Sequence, residues 1–430
     1  MVMNPATART TSDAHLHPAG KASPCRFCGH LLRVTFVDLG MSPLCQTVIR
    51  PEQRQLMEPF YPLHAYVCEQ CLLVQLEEFV APHDIFSEYA YFSSYSDSWV
   101  AHARRYTHAM CDLLGLGPSH RVMEIASNDG YLLQHFVAKG VPVLGIEPAA
   151  NVAKVAIEKG VRSVVKFFGR ATAREIRTEY GSADLLIGNN VLAHVPDLND
   201  FVAGMKILLA EHGTITMEFP HLMRLMAENQ FDTIYHEHFS YFSLLAVERV
   251  FSHHGLTIFD VEELGTHGGS LRIYARHAEV QERPLTPRLL ELRQRELQDG
   301  YGTLERYTSF GPQVMATKRD ILKFLIGAKD AGKKIVGYGA PGKGNTLLNY
   351  CGIGTDFIDF TVDRNPYKQG TYTPGMHIPV LAPEAIRDAR PDYIFILPWN
   401  LREEIVNSMS YVREWGCKFV VPIPRITIID

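Results

Sequence analysis

The chain has 430 residues, of which 46% are hydrophobic and 21% charged, a composition typical of a folded protein with two or three domains. Its 42 lysines and arginines against 47 aspartates and glutamates give a formal charge of -5, so no net positive field favours nucleic acid as a partner. No apolar run reaches the roughly 18 residues of a membrane span, and residues 1–24 lack the apolar core of a signal peptide. We therefore expect a cytoplasmic protein with no membrane partner and with a disordered N-terminus over residues 1–22.

Four of the eight cysteines form two pairs with matching spacing. Cys25 and Cys28 enclose two residues, and after an interval of 39 residues Cys68 and Cys71 enclose two more. Two thiolates on a tight turn can hold one side of a metal ion, and a second pair completes a tetrahedral set, for which zinc is the expected metal. Cysteines that serve as small core residues or form a disulfide are the alternative. We predict a structural zinc site in a domain over residues 23–85.

A helical pattern runs from Trp99 to Leu114 and ends at Gly115. From residue 121 onward, short apolar segments alternate with helical stretches, which predicts a doubly wound parallel sheet. A pair of closely spaced apolar segments then predicts an antiparallel hairpin at one edge of that sheet. The predicted strands are Val122 to Ile125, Val143 to Ile146, Leu185 to Gly188, Thr214 to Phe219, Leu256 to Val261 and Ser270 to Ala275. We assign this domain to residues 86–282.

The rest of the chain divides into a connector and a third domain. Residues 283–332 predict helices separated by Pro and Gly breaks. A second series of strands and helices begins at Lys334, so residues 333–430 are predicted to form a Rossmann-like domain. The predicted fold class is therefore α/β, with a doubly wound sheet flanked by a small zinc-binding domain and a C-terminal Rossmann-like domain.

The first strand of the doubly wound sheet contains Glu124 and leads into the turn of Asn128, Asp129 and Gly130. Glu147 ends the next strand, where an acidic side chain can accept both ribose hydroxyls of an adenosine. The turn has a single glycine and is not the dinucleotide fingerprint, which favours a ligand without phosphate beside its ribose. S-adenosylmethionine (SAM) is such a ligand, and Glu124, Asn128 and Asp129 can contact its amino acid end and sulfonium. The alternative is an ordinary strand, turn and helix cap.

Taken together, the motifs resemble the sugar-nucleotide C-methyltransferases that build branched deoxysugars, such as the mycarose and tetronitrose 3-C-methyltransferases. The resemblance spans nearly all of the chain, and besides both cysteine pairs its motifs are Glu124-Ile125 with Asn128-Asp129-Gly130, Ile146-Glu147-Pro148, Tyr235-His236-Glu237-His238-Phe239, His267-Gly268-Gly269-Ser270 and Gly337-Tyr338-Gly339-Ala340. It implies a zinc-binding N-terminal domain, a seven-stranded class I methyltransferase and a second Rossmann-like domain. The implied reaction is SAM-dependent methylation, at C-3, of a 4-keto-6-deoxy sugar nucleotide.

That reaction needs a base at the carbon next to the ketone and hydrogen-bond donors for the enolate oxygen. The segment from Tyr235 to His238 supplies a base, a donor and a carboxylate within four residues. The resemblance implies that His238 is the base and that Tyr235 and Glu237 are active-site residues, whereas His236 lies where relatives often carry another polar residue. An imidazole is mostly neutral at physiological pH and can accept a proton without extreme tuning.

Further candidates come from the loops around the predicted cofactor. Asn190 follows the third strand, where a loop can cover the cofactor, and Pro148 follows Glu147. The resemblance implies that His194 lines the sugar pocket and that a tyrosine of the aromatic stretch, Tyr91 or alternatively Tyr89, reaches the substrate. A hydrogen-bonded core or interface role is the alternative for each of these side chains.

The substrate diphosphate is expected in the third domain. There a strand with Tyr338 leads into a glycine-rich turn and a helix with Lys343 and Asn345, a combination that can bind phosphate oxygens. The turn lacks the P-loop spacing, so it does not imply ATP hydrolysis. Asp363 follows the next strand at the ribose position of a dinucleotide fold, but the resemblance implies a substrate-side domain without its own redox cofactor.

Three other functions remain as alternatives. A zinc-ribbon methyltransferase could act on RNA or another small molecule, although RNA calls for a basic face that the sequence lacks. A non-catalytic scaffold would be expected to lose Glu147 or His238, and both are present. An NAD-dependent enzyme would use the third domain. The sequence leaves open the nucleotide (dTDP, GDP or CDP), the sugar, the stereochemistry and the oligomeric state, with a monomer among the options.

Overall fold

A computed structural model describes residues 23–80 and 92–430 of the chain. The expected disorder of residues 1–22 and the predicted boundary between residues 85 and 86 lie outside this part. The described residues form three sheets, which we call the N-terminal, central and C-terminal sheets. None of the helices in residues 23–80 and 92–430 combines the length and apolarity of a membrane span.

The N-terminal sheet has four antiparallel strands, and one of them comes from a distant part of the chain. Its order is Val34–Ser42, Tyr61–Val67, Val74–Leu76 and Ser240–Tyr241. The second strand alternates buried and half-buried residues along Leu63 to Val67, the pattern of a strand with one face on a core. The short fourth strand directly follows the predicted catalytic segment, which is therefore held at the edge of this sheet.

The central sheet confirms the predicted doubly wound architecture. The strands run in the order Leu256–Leu264, Ser270–His277, Leu209–Pro220, Ala183–Asn189, Val122–Ile125, Val143–Ile146 and Ser163–Val164. The predicted hairpin lies at one edge, and the other five strands pair in parallel. The α-helices of this part are Asp97–Leu114, Leu133–Val137, Ala150–Glu158, Arg170–Tyr180, Leu198–Leu208, Leu222–Ala227 and Leu244–His253.

The C-terminal sheet is a second, mostly parallel sheet with antiparallel strands at both edges. Its order is Thr371–Tyr372, Pro379–Leu381, Thr361–Val362, Ile335–Tyr338, Tyr393–Ile396, Lys418–Val421 and Thr427–Ile429. Its α-helices and those of the preceding connector are Pro287–Gln298, Leu304–Thr308, Phe310–Asp330, Gly342–Cys351, Ala385–Ala389 and Arg402–Ser408. The 3-10 helices of the described chain are Pro51–Gln53, Ser93–Tyr95, Leu192–His194, Phe231–Thr233, Thr266–Gly268, Trp399–Leu401 and Ser410–Trp415.

Two apolar cores tie the three sheets together. One core joins the N-terminal sheet to the C-terminal sheet through the helix Phe310–Asp330, and in it the rings of Phe36 and Phe310 stack with their centres 4.8 Å apart. Full burial of one such side chain stabilises the fold by about 1.5–3 kcal/mol. The other core joins the cysteine pairs to the central sheet. The N-terminal sheet thus packs against both of the larger units. The four cysteines outside the pairs, Cys45, Cys111, Cys351 and Cys417, are all buried.

Candidate active site

The two cysteine pairs meet beside the N-terminal sheet. Their four Sγ atoms lie within 4.8 Å of one another, and the Cys25–Cys71 and Cys28–Cys68 pairs are 3.6 and 3.5 Å apart. Zinc held by four thiolates at about 2.3 Å requires sulfur separations of about 3.8 Å, so this donor set fits the metal. The side chain of Gln75 supports the site, because its Nε2 donates to the Cys25 Sγ at 3.1 Å. Four protein thiolates fill the coordination sphere, which makes the zinc structural.

A cavity of about 1250 Å³ lies between the central and C-terminal sheets. Glu147 and His238 line it on one side, and Lys343 and Lys368 line it on the other. The carboxyl ends of parallel strands border the cavity, which is where doubly wound folds bind ligands. One ordinary ligand pocket measures roughly 300–1,000 Å³, so this cavity has room for two ligands side by side.

The predicted cofactor turn has the geometry of a close-approach site. Asn128 and Gly130 both have a positive φ, of 50° and 75°. A Cβ on Gly130 would lie only 3.0 Å from a methyl group of Val161, so the helix and sheet can pack this closely only at a glycine. The Glu147 carboxylate accepts 2.9 Å hydrogen bonds from the backbone N–H groups of Asn128 and Ala149. These bonds fix its position at the cavity wall and leave lone pairs for the hydroxyls of a ribose.

Glu124 and Asp129 lie at the base of the turn and do not line the cavity. Neither carboxylate oxygen of Glu124 has a hydrogen-bond partner within the described residues, and burial, followed by the charges of Glu147 and Asp129, raises its pKa well above the usual range. A cationic amino group bound nearby would stabilise the charged form, so this buried acid fits a cofactor such as SAM. Asp129 instead pairs with Lys159, 3.0 Å from its Nζ.

Asn190 and Pro148 line the cavity beside Glu147. Asn190 has a φ of 52°, and its backbone N–H donates to the Glu218 carbonyl at 2.7 Å. Its side-chain Nδ2 lies 3.4 Å from the Nε2 of His267. The loop after the third strand of the central sheet therefore turns sharply at Asn190 and covers the mouth of the proposed cofactor site.

His238 lines the cavity and is held by a hydrogen bond of one ring nitrogen. Its Nδ1 lies 3.2 Å from the Thr233 carbonyl oxygen, which can only accept, so Nδ1 carries the proton and Nε2 keeps its lone pair. Burial, followed by the neighbouring His194, lowers the pKa of His238 well below its usual range. The imidazole is therefore neutral at physiological pH and has the tautomer that a base requires.

The other residues of the segment surround His238 on different sides. The rings of His194 and Tyr235 lie 4.6 and 4.1 Å from the His238 ring. Burial lowers the pKa of His194 to about 4 and raises the pKa of Glu237 to about 8, and both side chains line the cavity. His236 faces the other way, with its Nε2 3.2 Å from the Pro62 carbonyl in the N-terminal sheet. The predicted cluster therefore places an imidazole whose pKa is lowered by burial next in sequence to a carboxyl whose pKa is raised by burial.

Of the three predicted substrate residues in the C-terminal part, Lys343 lines the cavity, whereas Tyr338 and Asn345 do not. The Lys343 Nζ donates to the Asn400 Oδ1 at 2.9 Å and lies 4.4 Å from the ring centre of Trp399. The amide of Asn345 instead donates to the Cys45 carbonyl at 2.6 Å, and the Tyr338 side chain is buried. Lys343 is therefore the predicted phosphate ligand that the fold brings to the cavity.

Asp363 binds the protein's own turn at the expected ribose position. Its two carboxylate oxygens accept hydrogen bonds from the backbone N–H groups of Ala340 at 2.8 Å and of Asn365 at 2.9 Å. The glycine-rich turn is thus closed by a side chain of the next strand. The two predicted aromatic candidates, Tyr91 and Tyr89, lie outside the described residues.

The sequence interpretation missed a buried charged cluster on the cavity wall. Glu218 accepts hydrogen bonds from Arg272 at 2.6 Å and Thr266 at 2.8 Å, and it lies 3.0 Å from the His102 Nε2. Burial alone would raise the pKa of Glu218, but His102 and Arg272 outweigh it and lower that pKa to about 2. The available signal was the position of Glu218 near the end of a central strand, at the sheet edge that also carries Glu147.

The HGGS motif has a packing role at the same wall. Gly268 has a φ of 95°, and a Cβ there would lie 2.5 Å from the Trp399 ring. The loop of the central unit can therefore contact the C-terminal unit only with glycine at this position. This contact helps to close the cavity between the two units.

Models of three protein domains match successive parts of the chain. A model of the zinc-binding domain of methyltransferases matches residues 25–86, a methyltransferase domain matches residues 99–261, and a C-methyltransferase C-terminal domain matches residues 265–424. The C-methyltransferase NovU from Streptomyces niveus is 36% identical over 406 residues, which are 94% of this chain and 96% of that protein.

Solved structures of low similarity cover less than half of this chain. The PH0226 protein from Pyrococcus horikoshii is 16% identical, with a TM-score of 0.36 over 45% of this chain and 97% of that one. The magnesium protoporphyrin IX methyltransferase from Synechocystis with bound S-adenosylhomocysteine is 14% identical, with a TM-score of 0.34 over 41% of this chain and 84% of that one.

The matched methyltransferase and zinc-binding domains, together with the four-cysteine cluster, show a SAM-dependent methyltransferase with structural zinc. The chain belongs to the C-methyltransferase family, as the match to NovU along almost its full length shows. Both cofactors expected from the sequence, SAM and zinc, are therefore confirmed.

Proposed function

We propose that this C-methyltransferase methylates C-3 of a nucleotide-linked 4-keto-6-deoxy sugar in branched deoxysugar biosynthesis, with His238 as the base. The observation that carries the proposal is His238, which lines the same cavity as Glu147 and Lys343 and whose Nδ1 is engaged by the Thr233 carbonyl, so that Nε2 is the basic nitrogen of the ring. A base, a cofactor acid and a phosphate-binding cation thus share one cavity with room for two ligands.

The chemistry requires a carbon nucleophile. SAM supplies an electrophilic methyl group, and the accepting carbon must carry an electron pair to form a carbon–carbon bond. A ketone on the neighbouring carbon makes this possible, because removal of the α-proton gives an enolate whose charge lies mainly on oxygen. The protein must therefore remove one proton and stabilise one developing oxyanion.

His238 removes the proton. Its Nδ1–H is held by the Thr233 carbonyl, so the ring is oriented and Nε2 is the nitrogen that accepts the proton. The lowered pKa keeps His238 unprotonated at neutral pH and ready to accept the α-proton. The Tyr235 ring, 4.1 Å from the imidazole, limits the orientations that the base can take.

Glu237 stabilises the enolate oxygen. Because burial raises its pKa to about 8, the carboxyl carries a proton at neutral pH and can donate a hydrogen bond to the ketone oxygen. Such a bond strengthens as negative charge develops on that oxygen. The base and the donor are consecutive in the chain, and both line the cavity.

The nucleotide diphosphate binds on the C-terminal side. Lys343 and Lys368 line the cavity opposite the central sheet, and the Lys368 Nζ donates to the Ala340 carbonyl of the glycine-rich turn at 2.7 Å. Burial lowers the pKa of Lys343, while the nearby Asp232 opposes that change. A bound diphosphate would provide the counter-charges that two partly buried ammonium groups favour.

Exchange of the α-proton tests the base directly. The enzyme is mixed with a 4-keto-6-deoxy sugar nucleotide in deuterated water, with S-adenosylhomocysteine in place of SAM, and deuterium at C-3 is measured by mass spectrometry. Wild type is expected to exchange the proton. A folded His238→Asn variant should lose both exchange and methylation, by about 10²–10⁴-fold, and keep its affinity for SAM.

His236→Asn is the matched control, because His236 lies in the same segment but faces the N-terminal sheet. It should exchange and methylate like wild type. Methylation by His238→Asn at near the wild-type rate would contradict the base assignment. Native mass spectrometry with dTDP-, GDP- and CDP-linked 4-keto sugars identifies the nucleotide, and binding of none of them would refute the substrate class.

A further inference from the structure

Arg26 lies between the first two zinc ligands and contacts both of the segments that carry the active-site histidines. Its Nη1 donates to the Pro196 carbonyl at 2.7 Å, two residues beyond His194. The guanidinium also lies 5.3 Å from the ring centre of Phe239, the residue that follows His238. One side chain of the zinc-binding part therefore spans the two loops whose rings meet in the cavity.

The N-terminal sheet extends this contact through the backbone. The Arg26 Nη2 donates to the Leu76 carbonyl at 2.5 Å, and the N–H of Leu76 donates to the Phe239 carbonyl at 3.0 Å. Gln75 links the same strand to the zinc site, since its Oε1 accepts from the Arg26 N–H at 2.9 Å and its Nε2 donates to the Cys25 thiolate. Arg26 is thus fixed by the sheet edge to which the catalytic segment is paired.

The central unit holds the same turn from the other side. Asn199, in the helix after the His194 loop, donates through Nδ2 to the carbonyls of Arg26 at 3.2 Å and Phe27 at 2.9 Å. The planar guanidinium of Arg26 holds its two donors, Nη1 and Nη2, at a fixed separation, so it can bond two carbonyls on separate segments at a fixed distance. The ammonium group of a lysine carries all its donors on one nitrogen and cannot fix that distance. None of these contacts of Arg26 and Asn199 involves a zinc ligand side chain, so metal binding alone does not account for them.

We propose that Arg26 is a positioning residue that sets the distance and orientation between His194 and His238, whose ring centres lie 4.6 Å apart. It touches neither imidazole and acts through the Pro196 carbonyl and the Phe239 ring. The proposal rests on the proposed function for the role of His238 as the base, and His194 lines the same cavity. It assigns to the zinc-binding part a direct effect on the geometry of the chemical step.

The test compares Arg26→Ala and Arg26→Lys with wild type, and Arg33→Ala serves as the control because Arg33 is exposed in the same part of the chain. Zinc content, melting temperature and SAM affinity are measured first. We expect zinc content and SAM affinity to remain at wild-type values and the melting temperature of Arg26→Ala to fall, because two partly buried carbonyls lose their hydrogen-bond donor. Measured well below both melting temperatures, kcat should still fall by about 10–100-fold, the size of effect that a misplacement of about 1 Å produces. Arg26→Lys should recover part of that loss.

A spectroscopic measurement separates positioning from general stability. Two-dimensional proton–nitrogen NMR of the histidine side chains, recorded without substrate, should show shifted ring signals for His194 and His238 in Arg26→Ala and unchanged signals for the distant His120. Unchanged His194 and His238 signals, or a full wild-type kcat, would overturn the proposal. A kcat that returns to the wild-type value once it is expressed per folded, zinc-loaded molecule would also overturn it.

If Arg26→Ala does not fold, Asn199→Ala answers the same question, because it releases the Arg26 turn from the central unit and leaves the cysteines intact. Unchanged His194 and His238 signals in Asn199→Ala and in Arg26→Lys would then refute the proposal. Failure of the proposed function is distinguishable, since it appears as methylation by His238→Asn, whereas the NMR comparison needs no substrate.

Discussion

Glu237 should set the upper pH limit of the reaction. Burial raises the pKa of this carboxyl to about 8, so it is a hydrogen-bond donor at neutral pH. As pH rises through about 8 the donor is lost, and the new carboxylate repels the enolate oxygen. We expect kcat/KM for the sugar nucleotide to fall about tenfold per pH unit above this value in wild type, and to lose this limb in Glu237→Gln.

Below neutral pH we expect the rate to depend on pH in a different way. His238 must be neutral to act as a base, and burial places its pKa well below the usual histidine value of about 6.5. Lowering the pH to 6.5 should therefore not reduce the rate through this group. Burial raises the pKa of Asp232 to about 6, so Asp232→Asn is the control that shows whether a limb near pH 6 comes from that carboxyl.

The raised pKa of the Glu237 carboxyl also predicts how the stability of the fold depends on pH. The pKa of Glu237 rises from 4.5 to about 8 on folding, so its contribution is fully present below pH 4.5 and is lost as pH rises through about 8. At high pH the loss is at most about 5 kcal/mol, from 1.36 kcal/mol for each pKa unit. Glu237→Gln should therefore melt at a higher temperature than wild type at pH 9, with no such gain at pH 5.

Rate profiles from pH 5.5 to 10 and melting curves at both pH values check this reasoning, with the exposed Glu282→Gln as a matched control. The reasoning would be refuted if Glu237→Gln retained a basic limb near pH 8 and melted no higher than wild type at pH 9. Glu237 would then be ionised at neutral pH, and the enolate donor would have to be sought elsewhere, first at Tyr235.

Three further changes have defined outcomes. Glu147→Ala should weaken SAM binding by roughly 2–4 kcal/mol, or about 30- to 700-fold in Kd by calorimetry, because two charge-assisted hydrogen bonds to the ribose are lost. Unchanged affinity would show that the cofactor site is misplaced. Cys68→Ser should lower both zinc content and melting temperature, since one thiolate is removed from a closed site, and an unchanged melting curve would argue against a structural zinc. Lys343→Met should raise KM for the sugar nucleotide by roughly tenfold or more and should change kcat less, as expected for a residue that binds the diphosphate. An equal loss in kcat and in kcat/KM would instead place Lys343 at the reacting carbon.

The sequence predicted the central sheet well because its strands are buried on both faces. Val122–Ile125 and Val143–Ile146 have the predicted bounds, since each is a short apolar run between turn residues. The strand Ser240–Tyr241 was not predicted. It has two residues, no periodicity, and a partner strand more than 160 residues earlier in the chain, so only tertiary packing reveals it.

Sequence predicts a site residue most directly when the residue lies at the carboxyl end of a strand, because that end of a parallel sheet borders the cavity. Glu147 and His238 lie where the motifs placed them, but a motif does not fix the direction of every side chain. Asn345 lies one turn into its helix with its amide directed at Cys45, away from the cavity. The cluster around Glu218 joins residues that are 54 and 116 positions apart, and no local spacing indicates such a contact.

In the proposed mechanism, burial explains why His238 can accept a proton and Glu237 can donate a hydrogen bond at the same pH. A less polar environment disfavours charge, and it therefore lowers the pKa of His238 and raises the pKa of Glu237. A histidine with a lowered pKa is a weaker base, which by itself would slow removal of an α-proton. A protonated Glu237 beside the ketone oxygen offsets this, because its hydrogen bond makes the α-proton more acidic as the enolate forms. The imidazolium produced by proton removal then lies beside the enolate, so the two charges that burial disfavours separately arise together as an attractive pair.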